Sequence, residues 1–366
     1  MKRNLAYDGL RGWLLIIIAC NHLYGHFVPQ LTRAPLGFVT AAEGFVFLSG
    51  FVAYLVYGRL SSNKTQLQRK VWQRCLTIYG FHITAITISF IFVWIFPFYI
   101  QQWTGFFNAE NWFNNTFQSY ISAILLLEHP GYHDILILYL VPMIFLPFAI
   151  LAINRGQLWL VATSSVLIWL LSQHVTIQPL AGPFNDIFSD ITINVSYFDP
   201  LAWQIYFYMG FILSYLKHHK GYSFDFPIAV RICLLTCITA LFITKHWFPA
   251  LMEPYLLGSG NASVVYQLSL LLAVYLFMLL NRHIPRLFTL KYPVFLGQHA
   301  LPVFAFHTVV IYFLQPWSQA YTTQTWYWDL LICIFFIGLL AIPARLDQIW
   351  RSSNRRNQLG VQSKAA

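Results

Sequence analysis

Asp8, Arg11, His22 and Glu43 are the residues of this chain whose types and spacing best fit chemistry. They lie in two apolar stretches, YDGLRGWLLIIIACNHLYGHF and GFVTAAEGFVFLSGFVAYLVYG, each long enough to cross a bilayer as a helix. An ionised side chain at the bilayer centre costs at least about 2.5 kcal/mol, so such groups face protein or a water-filled cavity and mark functional sites. On an α-helix the eleven residues from Arg11 to His22 turn through about 1100°, which leaves the two ~20° apart on one face and ~16.5 Å apart along the axis. Asp8 precedes Arg11 by three residues, the spacing of an ion pair. Counted from the outer ends, His22 is about six residues deep and Glu43 about seven, so the two are expected at one level. A histidine beside a buried carboxylate is a general-base arrangement, because the carboxylate fixes the ring and supports the imidazolium that forms on proton uptake. The same residues also suit a structural His–Glu bridge between two helices, with Arg11 as an interfacial anchor. Gly44, Ser49 and Gly50 read as packing residues that let membrane helices approach closely.

The elements that must position these groups follow from composition. The 366 residues are 58% hydrophobic and 9% charged. A soluble domain carries about 25% charge, so the chain is an all-α, polytopic membrane bundle. Stretches of about 20 apolar residues occur at roughly 9–28, 36–58, 74–97, 132–153, 157–173, 200–217, 228–248, 263–281, 294–315 and 326–347, ten in all. The segment around Ser119–Leu127 reads as the end of an interfacial helix. With the N-terminus inside, eighteen Lys and Arg residues fall in cytoplasmic segments and two, Arg33 and Lys245, in outer ones. That split places both termini in the cytoplasm. It also explains the +10 net charge as a topology signal and argues against a nucleic-acid partner. The expected organisation is one membrane domain over 1–350 and a polar, disordered cytoplasmic tail over 351–366. No internal repeat is evident, which weighs against an inverted-repeat transporter.

Five scattered cysteines argue against a disulfide framework, and Cys233 and Cys237 have no His or carboxylate nearby to complete a metal site. The stretch Ile17–Cys20 resembles a lipoprotein cleavage box, but Asp8 and Arg11 precede it and the apolar run continues past Cys20, so it is read as part of a span.

Other polar residues gather on the outer side. Residues 98–131 hold no Lys or Arg but carry Gln101, Trp103, Asn108 and Trp112; residues 174–199 carry Gln178, Asn185, Asp186, Asp190, Asn194 and Asp199. Amides, carboxylates and aromatic rings together suit a neutral carbohydrate, and suit an interfacial aromatic belt equally well. His133 and Asp134 open the fourth stretch, and Asp199, Trp203 and Gln204 the sixth. His307 lies in the outer half of the ninth, with His299 nearer the cytoplasm. Asp134 and Asp199 also suit helix N-caps.

The stretches DGLRG…H, AAEGFVFLSGF, HDILILYLVP, FDPLAWQ and LGQHALPVF resemble the OpgC family, within the type-3 membrane acyltransferase superfamily, in order and spacing over about residues 5–345. Asp199 stands where that family usually has Asn, and Gln298 where Arg is common. The resemblance implies an acyl-CoA-dependent transferase of the bacterial inner membrane. OpgC proteins are associated with succinyl substitution of osmoregulated periplasmic glucans. Read this way, no cofactor is held permanently. Succinyl-CoA or acetyl-CoA is the donor, and Asp8, Arg11 and His299 contact it, with Arg11 a pantetheine-like distance from His22. A periplasmic glucan is the acceptor, contacted by Asp134, Asp199, Trp203, Gln204 and His307, while His22 and Glu43 catalyse. Gln204 or His307 would stabilise the oxyanion. A dicarboxylic acyl donor would need a cation such as His307 or Arg33. Acetyl transfer to another envelope polysaccharide, a proton-coupled secondary transporter and a non-catalytic membrane scaffold remain as alternatives.

Overall fold

The computed structural model describes residues 4–23, 28–35, 37–107, 109–128, 130–175, 197–248, 250, 259–322 and 325–365. Among them all regular structure is helical. The chain divides into two compact units, Met1–Thr32 with Leu280–Ala366, and Arg33–Leu279.

In the first unit α1 (Leu5–His22) begins where the Asn4 side chain accepts a hydrogen bond from the Ala6 amide at 3.0 Å. Its Leu15, Ile18 and Ala19 are buried at the i, i+3, i+4 spacing of one helix face. A short helix, α2 (Val28–Thr32), is tied down by Asp329, whose Oδ2 accepts from the Val28 amide at 2.7 Å. Gly12 and Gly297 are where α1 meets the helix Lys291–Gln298. A Cβ on either would lie 1.8 Å from a backbone oxygen, that of Pro293 or of Asp8 respectively. Only glycine allows this approach.

The second unit is built on α3 (Ala41–Tyr57), α4 (Lys64–Ile95) and the short α5 (Ile100–Phe107), α6 (Ala109–Asn114) and α7 (Thr116–Ile124). It continues with α8 (Ile135–Asn154), α9 (Leu158–Ser172), α10 (Pro200–His218), α11 (Ile228–Trp247) and α12 (Val264–His283). α3 and α10 cross at Gly50 and Gly210, where a Cβ would lie 1.9 Å and 2.0 Å from the carbonyls of Phe207 and Phe47. One turn further along both helices, Tyr54 packs edge-on against Phe211 and Tyr215. The two helices therefore run in the same direction and start at the same end. His133 Nε2 lies 3.1 Å from Ser89 Oγ and ties α8 to α4; both residues are buried. The Tyr208 hydroxyl donates to the Pro142 carbonyl at 3.2 Å, joining α10 to α8.

Each of the ten stretches expected to span has a helical counterpart. Among the described residues six helices are long and apolar enough to cross a membrane, Ala41–Leu60, Lys64–Ile95, Ile135–Asn154, Ile228–Trp247, Val264–His283 and Trp326–Asn354, or seven if the bent pair Lys291–Gln298 and Ala300–Pro316 is one span. Two expectations are corrected. The stretch expected as one span at 294–315 is two helices, α13 (Lys291–Gln298) and α14 (Ala300–Thr322), bent by 91°. Pro302 explains the break, because it has no N–H for the Gln298 carbonyl and its ring crowds that carbonyl. The last stretch keeps its span, Trp326–Asn354, through two consecutive helices, α15 (Trp326–Leu339) and α16 (Ala341–Ala365), with Pro343 four residues after Leu339. α4 starts ten residues before its apolar stretch, so Lys64, Arg69 and Lys70 are helical, with Leu67, Val71, Cys75 and Ile78 buried every three to four residues beneath them. Past Arg351 the helix α16 runs on to Ala365, with an Asp347–Arg351 pair at 2.7 Å.

Candidate active site

His22 ends α1 and His307 lies two turns into α14, both in the first unit. His22 Nδ1 is 2.9 Å from His307 Nε2, and the rings stack with centroids 5.1 Å apart. His307 Nδ1 in turn lies 2.6 Å from the Phe304 carbonyl oxygen. That carbonyl only accepts, so His307 carries its proton on Nδ1 and presents a lone pair at Nε2. His22 must then donate from Nδ1, which puts its own lone pair on Nε2. The chain Phe304–His307–His22 thereby sets a tautomer suited to a base. His307 was expected to contact substrate, but both its ring nitrogens are used within the unit. It is a side chain that hydrogen-bonds the His22 ring.

Arg11 is half-buried and Asp8 buried, one turn apart on α1. His299 is buried at the break between α13 and α14, with Nδ1 2.6 Å from Asp347 Oδ2. Asp347 also pairs with Arg351, so His299 anchors the start of α14 to α16. Sequence reasoning missed Asp347, a lone carboxylate in a basic segment; its i,i+4 spacing to Arg351 was the available signal.

Glu43 belongs to the second unit and is 1% exposed. It stands at the third position of α3 and closes a capping box with Thr40. Its Oε2 accepts from the Thr40 amide at 2.9 Å and from the Thr40 hydroxyl. The pattern Thr-Ala-Ala-Glu before an apolar run is the sequence signal of this box.

The remaining candidates divide. Gln204 is buried with its amide committed to Ser165: Oε1 accepts from the hydroxyl at 2.8 Å and Nε2 donates to the carbonyl at 2.7 Å. Trp203 is fully buried between Phe198 and Tyr206, with ring centroids at 4.4 Å and 5.1 Å. Asp199 caps α10, Oδ1 accepting from the Leu201 amide at 2.8 Å. Asp134 is buried at the N-cap position of α8 without a side-chain cap bond. Trp103 and Trp112, expected on a sugar-facing surface, are core residues, and Trp112 stacks on Phe90 at 3.9 Å. Asn108, Gln178, Asn185, Asp186, Asp190 and Asn194 lie outside the described residues.

A family model described as OpgC protein matches residues 3–352, and the chain belongs to the OpgC family. No curated protein and no solved structure matches it.

Proposed function

We propose, from membership of the OpgC family, that this chain is a membrane O-acyltransferase. Its reading is transfer of an acyl group, best succinyl, from cytoplasmic acyl-CoA to a hydroxyl of a periplasmic glucan. It works in the bacterial inner membrane as a single domain of ten crossings with both termini inside. The observation that carries the catalytic part is the Phe304–His307–His22 chain, because it supports a lone pair at His22 Nε2.

As the glucan hydroxyl oxygen attacks the thioester carbonyl, His22 Nε2 takes the hydroxyl proton. The C–S bond then breaks, the ester forms, and the imidazolium returns the proton to the CoA thiolate. His307 holds the ring and shares the charge. Arg11, with the basic cytoplasmic segments, holds the donor. Much of the rate comes from holding two reactants from opposite compartments in line.

The test is acyl transfer by purified protein in nanodiscs, offered labelled succinyl-CoA or acetyl-CoA with a glucan extract. Label reaching glucan with wild type and not with His22→Ala supports the reading and names the donor. Full turnover by His22→Ala ends the proposed mechanism.

A further inference from the structure

Among the described residues of the second unit, several buried polar atoms have no hydrogen-bond partner. Glu43 Oε1 is one, the Tyr206 hydroxyl another, and Ser269 Oγ a third; these residues are 1%, 0% and 3% exposed. They gather at one end of the unit. α3 and α10 run parallel, so Glu43 and Tyr206, both in the first turns after the cap, lie at similar depth. Glu43 interacts electrostatically with Tyr206, with Tyr266 of α12 and with Lys245 at the end of α11. Lys245 Nζ donates to the carbonyls of Ala34 and Arg33 at 2.7 Å and 3.3 Å. Ser269 reaches the same loop, 3.8 Å from where a Cβ on Gly37 would stand.

Buried polar groups are nearly always paired, so a cluster of unpaired ones from three helices requires an explanation. Packing alone does not supply one, since phenylalanine in place of Tyr206 would fill the same space without stranding a hydroxyl. A ligand that brings its own donors and acceptors does. A carboxylate oxygen accepts, a phenol does either, and a serine hydroxyl does either. A sugar carries adjacent hydroxyls that both donate and accept, and it is neutral, so it meets neither repulsion from Glu43 nor the need for a further cation. A dicarboxylic acyl tail would bring its negative charge towards Glu43.

We infer that Glu43, Tyr206 and Ser269 form a hydroxyl-binding subsite for a sugar unit of the acceptor. The inference rests on the acyltransferase reading for the identity of that acceptor as a glucan. In it, Glu43 Oε2 holds the start of α3 through Thr40 while Oε1 accepts from a sugar hydroxyl. Tyr206 donates to the same or a neighbouring oxygen. Lys245 keeps the loop carrying Arg33 and Ala34 against α11.

The experiment measures equilibrium binding of a β-linked glucotetraose, of succinate and of acyl-CoA to full-length protein in nanodiscs. Wild type is set beside Tyr206→Phe and Ser269→Ala, with thermal unfolding of each. The expected result is glucotetraose binding about three- to tenfold weaker in Tyr206→Phe, the loss of one hydrogen bond. Acyl-CoA binding stays unchanged and Tm is unchanged or higher, because the hydroxyl has no partner to lose. Unaltered glucotetraose binding in both variants overturns the subsite, as does a loss confined to succinate, or no glucotetraose binding by folded wild type. Tyrosine-dependent glucotetraose binding without any acyl transfer leaves the subsite standing and removes the acyltransferase reading instead.

Discussion

Two groups of buried polar side chains, one around His22 and His299 in the first unit and one around Glu43 in the second, are arranged in opposite ways. In the first unit they are strung into directed pairs: His22 to His307 to the Phe304 carbonyl, and His299 to Asp347 to Arg351. In the second, Glu43 uses one oxygen on its own helix start, and its other oxygen, the Tyr206 hydroxyl and Ser269 Oγ have no hydrogen-bond partner among the described residues. A directed chain fixes which atom holds a proton, which is what a base requires. An unpartnered cluster fixes nothing until something enters it, which is what a binding site requires. The closely crossing glycine pairs, Gly12 with Gly297 and Gly50 with Gly210, are by contrast the same device in both units.

The largest effect expected from breaking this contrast is at the base itself. His22→Ala should lower the rate of acyl transfer by about 10²–10⁴-fold, read as labelled glucan at saturating donor. Next comes the orienting residue. His307→Phe keeps the ring volume but offers His22 no acceptor, so kcat should fall on the order of 10–100-fold while KM for acyl-CoA holds. His307→Gln, whose amide oxygen can accept from His22 Nδ1, should recover part of that loss. Equal loss in both variants would mean His307 only packs.

Smaller effects test the shared device. Gly297→Ala and Gly50→Ala each drive a Cβ to within 1.8–1.9 Å of a backbone oxygen and should cost about 1–3 kcal/mol, seen as a lower Tm. Gly338→Ala, where a Cβ meets nothing within 4 Å, should be neutral or stabilising by up to ~1 kcal/mol. Thr40→Ala removes half of the capping box and should cost about 0.5–2 kcal/mol in stability. If Thr40→Ala also abolished transfer at unchanged Tm, Glu43 would be a catalytic group and the contrast between the units would weaken.

Much of this was legible in advance, because apolar length is additive along a chain. Each of the ten apolar stretches contains a helix among the described residues, and Arg11 and His22 do share one helix. What was hidden depended on single residues or on contacts distant in sequence. An averaged hydropathy window cannot see that Pro302 has no N–H to offer the Gln298 carbonyl, at the point where the chain turns by 91°. Depth counting paired His22 with the nearest plausible carboxylate, whereas the ring beside it comes from 285 positions away. Gln204 and Ser165 are a similar case, invisible until α9 and α10 lie together. The role of Glu43 as a capping residue was readable from Thr40 three positions before it, had local helix chemistry been weighed alongside burial.

The Phe304 carbonyl at the end of the histidine chain carries one further consequence. A peptide oxygen accepts a hydrogen bond but does not take up a proton near neutral pH. The His22–His307 pair is therefore a cul-de-sac and not a wire. A proton captured at His22 cannot travel on along this chain; it must leave by the nitrogen through which it came. Such a stop suits a proton lent to a reaction and repaid within one turnover, and it is the wrong plumbing for carrying protons from one side of a membrane to the other.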